Sequence, residues 1–324
     1  MPRGVTVATE IEMTPVPKTP SKPRTKAKSK SKSMPSRAIS HRRALLVFLL
    51  PFSVLFTLFY IVPIGYAIYQ SLLTVEREGT FGPAVQVFGG LTQYISVFQN
   101  EAFWASIGRV LMFGAVQVPV MLGVALILAL LLDSPLVRGT KFFRLAFFAP
   151  YAVPSVIAAI MWGFLYSPNL SPFTAITENF DFLSPTTVLW SIANVVTWVY
   201  VGYNMLIIYS ALLSIPQEIY EAARIDGANQ FRIAWSIKIP LVVPALVLTG
   251  IFSIIGTLQL LAEPQVFQSF SSAVTSTFTP NLTIYTTASI PNMSLAAAMS
   301  VVLALATFAL SFTVLKLTQR RTTQ

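Results

Sequence analysis

Six runs of mostly apolar residues dominate this chain, at roughly 44–70, 103–132, 142–167, 186–213, 240–262 and 292–317. Each can cross a bilayer as a helix, since about 20 residues span the ~30 Å hydrocarbon core. In lipid a segment must satisfy its own backbone N–H and C=O groups, and a continuous apolar run of this length does so as a helix. The expected fold class is therefore an all-α integral membrane protein with six transmembrane helices, its partner surface being the lipid bilayer. Composition agrees: 54% of the 324 residues are hydrophobic and only 10% charged, against about a quarter charged in soluble domains.

Six crossings put both ends on one side, and charge identifies that side. Arg138, Lys141, Arg144, Arg224, Arg232, Lys238, Lys316, Arg320 and Arg321 fall in the loops and end on the side of the N-terminal tail. The opposite loops hold Arg77 beside Glu76, Glu78, Glu101, Glu178, Asp181 and Glu263. The positive-inside rule then predicts a multi-pass protein of the cytoplasmic membrane with both termini cytoplasmic. A net charge of +10 would otherwise suggest nucleic acid, but half of the 22 Lys and Arg precede Ala44, so no nucleic-acid partner is expected. Residues 1–43, rich in Ser, Pro, Lys and Thr, read as a disordered basic cytoplasmic tail, too poor in apolar surface to offset its ordering entropy. Its plain role is to fix topology; the alternative is contact with anionic head groups. The first apolar run is too long for a signal-peptide core and is read as an uncleaved span.

The chain has no Cys and a single His, His41, which excludes disulfides, thiol catalysis and Cys or His-rich metal centres. No Gly-x-x-x-x-Gly-Lys-Ser/Thr loop occurs, so no phosphate cradle of that kind is expected. Catalytic residues, metals and cofactors are accordingly expected to be absent from this chain. A transporter without its own nucleotide site needs either a fuelled partner or an ion gradient.

The longest charged, helix-prone stretch between the spans is 214–239. Ser214 and Gln217 have capping-box spacing, Pro216 falls in a first turn, and Glu218 and Glu221 suit the positive end of a helix. Gly227 permits a sharp turn, and a second short helix is expected from about Asn229 through Phe231, Trp235 and Lys238 before Pro240. The order Glu221-Ala222-Ala223, Gly227, Ile237 and Pro240, with Ile239 in the place of a Leu, resembles the signature of permease subunits of binding-protein-dependent ABC importers. The fuller form, Ile215-Pro216-x-Glu218-x-Tyr220-Glu221-Ala222-Ala223 with Asp226-Gly227-Ala228, is similar to the maltose and glycerol-phosphate branch that takes up carbohydrates. Phe88-Gly89-Gly90-Leu91-Thr92-Gln93-Tyr94 in the first outer loop, and Phe142-Phe143-Arg144 with Pro150 and Trp162, resemble further family elements, so the likeness covers about 44–320.

What the resemblance implies is a type I ABC importer permease fold with 214–239 as the cytoplasmic coupling loop. Glu221, Ala222, Ala223, Asp226, Gly227 and Ala228 would dock on a cytoplasmic ATPase dimer, which carries the ATP and Mg. It also implies a second permease subunit, an extracytoplasmic solute-binding protein and a small carbohydrate as substrate. Two departures lie on the outer half: Arg109 stands where the family has Asn, and a Ser/Thr-rich stretch from Gln265 to Asn292 replaces Gly-Gly-Pro.

Polar side chains at mid-membrane depth are expensive and are therefore candidates for the solute pathway. Tyr200, Tyr203 and Asn204 share a face of the fourth span. Ser253, Gly256, Gln259 and Glu263 form a stripe on the fifth. Tyr200, Tyr203, Asn204, Gln259 and Arg109 are the pathway candidates, with hydrogen bonding between helices as the plain alternative for Asn204 and Gln259. Arg109 either snorkels to the outer interface or faces the cavity, pairing with Glu263 or holding an anion. The reading is an importer subunit moving a sugar by alternating access. Alternatives are the same permease class carrying a sugar phosphate or non-sugar solute, or an ion-coupled secondary transporter. No paired acids lie deep in a span to support the last, and no acid-pair or Ser/His/Asp constellation supports a membrane enzyme.

Overall fold

A computed structural model of the chain describes residues 41–77, 84–289 and 292–322. The expected tail thus lies outside the described residues up to position 40, while His41 already opens the first helix. The chain divides into two compact units between Leu55 and Phe56. Among the described residues the first unit contains most of the helix His41–Phe56, which carries Pro51. The first candidate span, Val47–Ser71, includes this boundary.

Five helices of the described residues are long and apolar enough to cross a membrane: Val47–Ser71, Glu101–Leu132, Val188–Leu213, Gln230–Phe267 and Met293–Thr318. A pair bent by 95°, Thr140–Ala152 with Ser155–Tyr166, makes a sixth crossing when taken as one span. These places match the six apolar runs, with corrections to the third and fifth. The third run is not one helix. Pro150 lies in a 3-10 stretch, Ala149–Ala152, and Val153 is extended at φ −81°, ψ 126°, as a residue before proline must be when ring atoms of Pro154 exclude the helical region. Pro154 then stands just ahead of the new helix Ser155–Tyr166.

The fifth span begins at Gln230 rather than near 240, so the short second helix expected from Asn229 runs on into it. Between them lies a π-helical stretch, Ala234–Lys238, ending two residues before Pro240. The first span repeats the arrangement, with a π stretch at Thr57–Ile61 ahead of Pro63. A proline ring clashes with the carbonyl four residues back, here Ser236 and Phe59, and widening the turn at that carbonyl lets the helix continue.

The membrane helices pack on stripes. Along Glu101–Leu132 the buried positions Phe103, Ile107, Val110, Phe113, Gln117, Met121, Ala125, Ala129 and Leu132 recur every three or four residues, one face of a 3.6-residue helix. Small residues are among the deepest positions, including Ala125, Ala129, Ala158, Ala159 and Ala298. That is expected where lipid removes the hydrophobic drive between helices and close backbone packing must supply it.

After the first span an antiparallel hairpin pairs Leu73–Arg77 (β1) with Ala84–Phe88 (β2), Leu73 opposite Phe88. The stretch expected as a Ser/Thr-rich loop from Gln265 to Asn292 is partly helical: it takes in the end of the helix Ala262–Phe267 and the whole of Pro280–Ser289. Phe267, Val274, Phe278 and Leu282 join the core around Ile192 and Val195, and Thr279 Oγ1 donates to the Leu260 carbonyl at 2.9 Å.

Candidate functional site

The 214–239 segment forms a helix, Gln217–Ile225. Ser214 does not cap it; its hydroxyl donates instead to the Ala211 carbonyl at 2.7 Å, closing the fourth span. Pro216 occupies the N-cap position, where its missing N–H costs nothing, and Glu218 and Arg224 suit the dipole of the first and last turns. The helix ends at Gly227, with φ 79°. The Gly227 N–H donates to Arg224 O at 3.0 Å and the Ala228 N–H to Ala223 O at 2.9 Å, the paired bonds of a Schellman end. Asn229 Oδ1 then accepts from the Arg232 N–H at 2.8 Å and starts the next helix.

One face of this segment is fastened to the membrane helices. Ile215, Tyr220 and Ile233 are buried with Ala125, Ala129, Leu132, Met205, Ile208 and Leu212. Burial, and then the nearby Asp133 carboxylate, push the Tyr220 phenol above its ordinary range. The other face is open. Glu221, Ala222, Asp226 and Gly227 are exposed, while Ala223 and Ala228 are half-buried. Around them stand Ile225 at 87%, Phe231 at 77% and Trp235 at 67% exposure. The Phe231 and Trp235 rings stack with centroids 6.5 Å apart. The result is a firmly seated ridge with small residues at its centre and large apolar ones at its rim.

A cavity of about 500 Å³ lies among the second, third, fourth and fifth spans. Tyr200, Tyr203, Asn204 and Gln259 all line it, as do Ser253, Gly256 and Glu263. Of the lining residues that the sequence did not point to, Tyr151 and Gln117 contribute most to its shape and polarity. Tyr151, from the break in the third span, stacks on Tyr203 at 4.8 Å and meets Tyr200 edge-on at 5.9 Å. The signal was present in Pro150-Tyr151-Ala152-Val153-Pro154, whose two prolines preclude a straight helix. Gln117 donates to Thr197 Oγ1 at 3.2 Å, while its Oε1 is buried without a partner. Asn204 Nδ2 donates to the Tyr200 carbonyl at 3.0 Å and to Met121 Sδ at 3.6 Å.

Arg109 is not among the cavity-lining residues. Its guanidinium donates to the carbonyls of Thr277 and Phe278 at 3.2 and 2.8 Å and lies 5.0 Å from the Phe278 ring centroid. The reason is the ordered segment after the fifth span, which brings the carbonyls of Thr277 and Phe278 to the second span. Arg109→Gln should therefore lower the thermal unfolding midpoint, at a cost of about 1.5–3 kcal/mol for bonds from a charged donor, and leave the KM of uptake unchanged. Unfolding scans and initial uptake rates would check both.

Residues 121–323 match the family described as the binding-protein-dependent transport system inner membrane component. The lactose transport system permease protein LacF of Rhizobium radiobacter is 32% identical over 279 residues, covering 82% of this chain and 91% of that protein. The sn-glycerol-3-phosphate transport system permease protein UgpA of Yersinia pseudotuberculosis is 31% identical over 200 residues, 60% of this chain and 66% of that protein. Among solved structures, a bacterial ABC transporter involved in the import of the acidic polysaccharide alginate aligns with a TM-score of 0.70 at 18% identity, over 87% of this chain and 97% of its counterpart. A bacterial alginate ABC transporter in complex with an alginate pentasaccharide-bound periplasmic protein aligns with a TM-score of 0.72 at 19% identity, over 88% and 96%. These likenesses establish the type I ABC importer permease fold. By the match from the middle of the second span to the C-terminal end, the chain belongs to the binding-protein-dependent transport system inner membrane components.

Proposed function

We propose that this chain is the transmembrane subunit of an ATP-driven importer that moves a neutral sugar across the cytoplasmic membrane by alternating access. The observation that carries the reading is the exposed ridge from Glu221 to Gly227, seated by Tyr220 and rimmed by Ile225, Phe231 and Trp235. Such a ridge suits a groove on a cytoplasmic ATPase dimer, which would bind ATP and Mg and hydrolyse the nucleotide. A second permease subunit completes the pathway, and an extracytoplasmic binding protein delivers the solute. The basic loops, the ridge and both termini face the cytoplasm in this reading. ATP binding biases the conformational equilibrium only as far as the ATPase grips one state of the ridge more tightly than the other.

The cavity lining supports a sugar. Tyr151, Tyr200 and Tyr203 offer ring faces to C–H surfaces, and Gln117, Asn204 and Gln259 offer amides to hydroxyls. Among the lining residues no Lys or Arg occurs, and the one ionisable acid, Glu263, offers no positive charge to a phosphate. That argues against the sugar-phosphate alternative raised by the glycerol-phosphate relative and favours the lactose-type one.

The test is reconstitution with the ATPase, the second permease and the binding protein in proteoliposomes. ATP-dependent uptake of a neutral oligosaccharide is expected, with no competition from glycerol 3-phosphate, and Glu221→Lys should reduce uptake and solute-stimulated ATPase at least about tenfold, a change of ~1.4 kcal/mol. Full uptake in that variant, or uptake by this chain alone under an ion gradient, would overturn the reading.

A further inference from the structure

Lys238 is out of place for a lysine. It is only 7% exposed and closes the π-helical stretch ahead of Pro240. Its Nζ stands 2.5 Å from Asp133 Oδ2, the sole ion pair among the described residues, and 5.1 Å from the Tyr220 ring centroid. Asp133 is the C-cap of the second span, a position where the helix dipole disfavours a carboxylate unless a cation attends it. One ammonium therefore joins the end of the second span, the start of the fifth and the ridge helix through Tyr220.

Stability alone does not account for this arrangement. Desolvating both charges offsets much of their attraction, and well-packed apolar side chains often serve as well. What an ion pair adds is direction. The other contacts that seat the ridge segment come from apolar side chains, among them Ile215, Tyr220, Ala223 and Ile233, and apolar contact is non-directional, so by itself it permits sliding. The second span also carries Gln117 and the fifth carries Ser253 and Gly256, all at the cavity.

We propose that Lys238 is a positioning residue, a strut that makes the ridge helix and the ends of the second and fifth spans move as one body. Displacement of the ridge is thereby delivered to the cavity rather than absorbed beneath it. The inference rests on the reading of the ridge as the ATPase dock. Lys238→Met, in the complete reconstituted transporter, keeps a side chain of similar length and removes the charge. It is expected to leave ATPase turnover within about twofold of the unaltered complex while uptake falls about tenfold, so that ATP consumed per solute rises. Lys238→Arg should retain coupling, and the exchange Asp133→Lys with Lys238→Asp should restore part of it, which loss of folding would not allow.

An Ile225→Cys cross-link to the ATPase is followed in parallel. If it forms and Lys238→Met transports with unchanged ATP per solute, or loses uptake and ATPase equally, the strut is overturned while the dock stands. If it fails to form with Lys238 intact, the dock falls and the strut with it. Should Lys238→Met not assemble, Asp133→Asn reads the same ratio, with unchanged coupling again the refuting result.

Discussion

Replacing Gly227 by valine should cut ATP-driven uptake by on the order of thirtyfold at unchanged membrane abundance. Gly227 sits at φ 79°, and a Cβ built there meets nothing within 4 Å, so the penalty is conformational and not one of crowding. A left-handed backbone costs an L-residue about 1–2 kcal/mol, and β-branching raises that further; ~2 kcal/mol corresponds to about thirtyfold. The segment would relieve it by abandoning the turn, losing the Gly227 and Ala228 bonds to the helix end and misplacing the cap at Asn229. The six apolar runs lie outside the turn, so insertion should be normal. Gly227→Asn, whose short amide tolerates the left-handed region, should keep most activity. Uptake and ATPase stimulation at matched expression decide the matter, and a valine variant as active as the unaltered chain would show that this turn does not shape the dock.

Gly202→Ala should be the more damaging change to the fold itself. The fourth span passes so close to the bend of the third that a Cβ at position 202 would fall inside the Phe147 carbonyl, with the Phe148 Cα 3.0 Å away. These are backbone atoms, unable to rotate aside as a side chain does. Overpacking of this kind costs about 1–3 kcal/mol. The bend would have to lift off the fourth span, carrying Tyr151 away from Tyr203. A lowered unfolding midpoint in detergent and a raised KM for uptake are expected together. A normal midpoint with normal KM would mean that the bend tolerates displacement and does not set the cavity wall.

These two glycines differ in how far they could be read from the chain. Gly227 stands between a Glu-Ala-Ala helix and an Asn cap, a local pattern whose turn chemistry is complete within about ten residues. Gly202 is surrounded by Tyr200, Val201 and Tyr203 and looks like any small residue in a membrane helix, because its necessity comes from Phe147, which is distant in sequence. The same distinction separates Tyr200 and Tyr203, which helical spacing placed on one face, from Tyr151, which reaches them only after the Pro150–Pro154 segment turns the chain by 95°. Arg109 shows the opposite failure. Its place in an apolar run left open an interface position or a pathway charge, whereas its partners are carbonyls of Thr277 and Phe278 that local pattern cannot supply.

What the sequence determined by itself is whatever depends on near neighbours and on the solvent. Apolar length located the crossings, and the order of Glu, Ala, Gly and Pro residues shaped the ridge, because backbone hydrogen bonding in lipid and turn stereochemistry are settled within a few residues. Tertiary structure alone decided the bend seated on Gly202, the buried link from Lys238 to Asp133 and the capture of Arg109 by the carbonyls of Thr277 and Phe278. Each requires groups far apart in the chain to meet within a few ångströms, and a contact of that kind leaves no periodic mark on either partner.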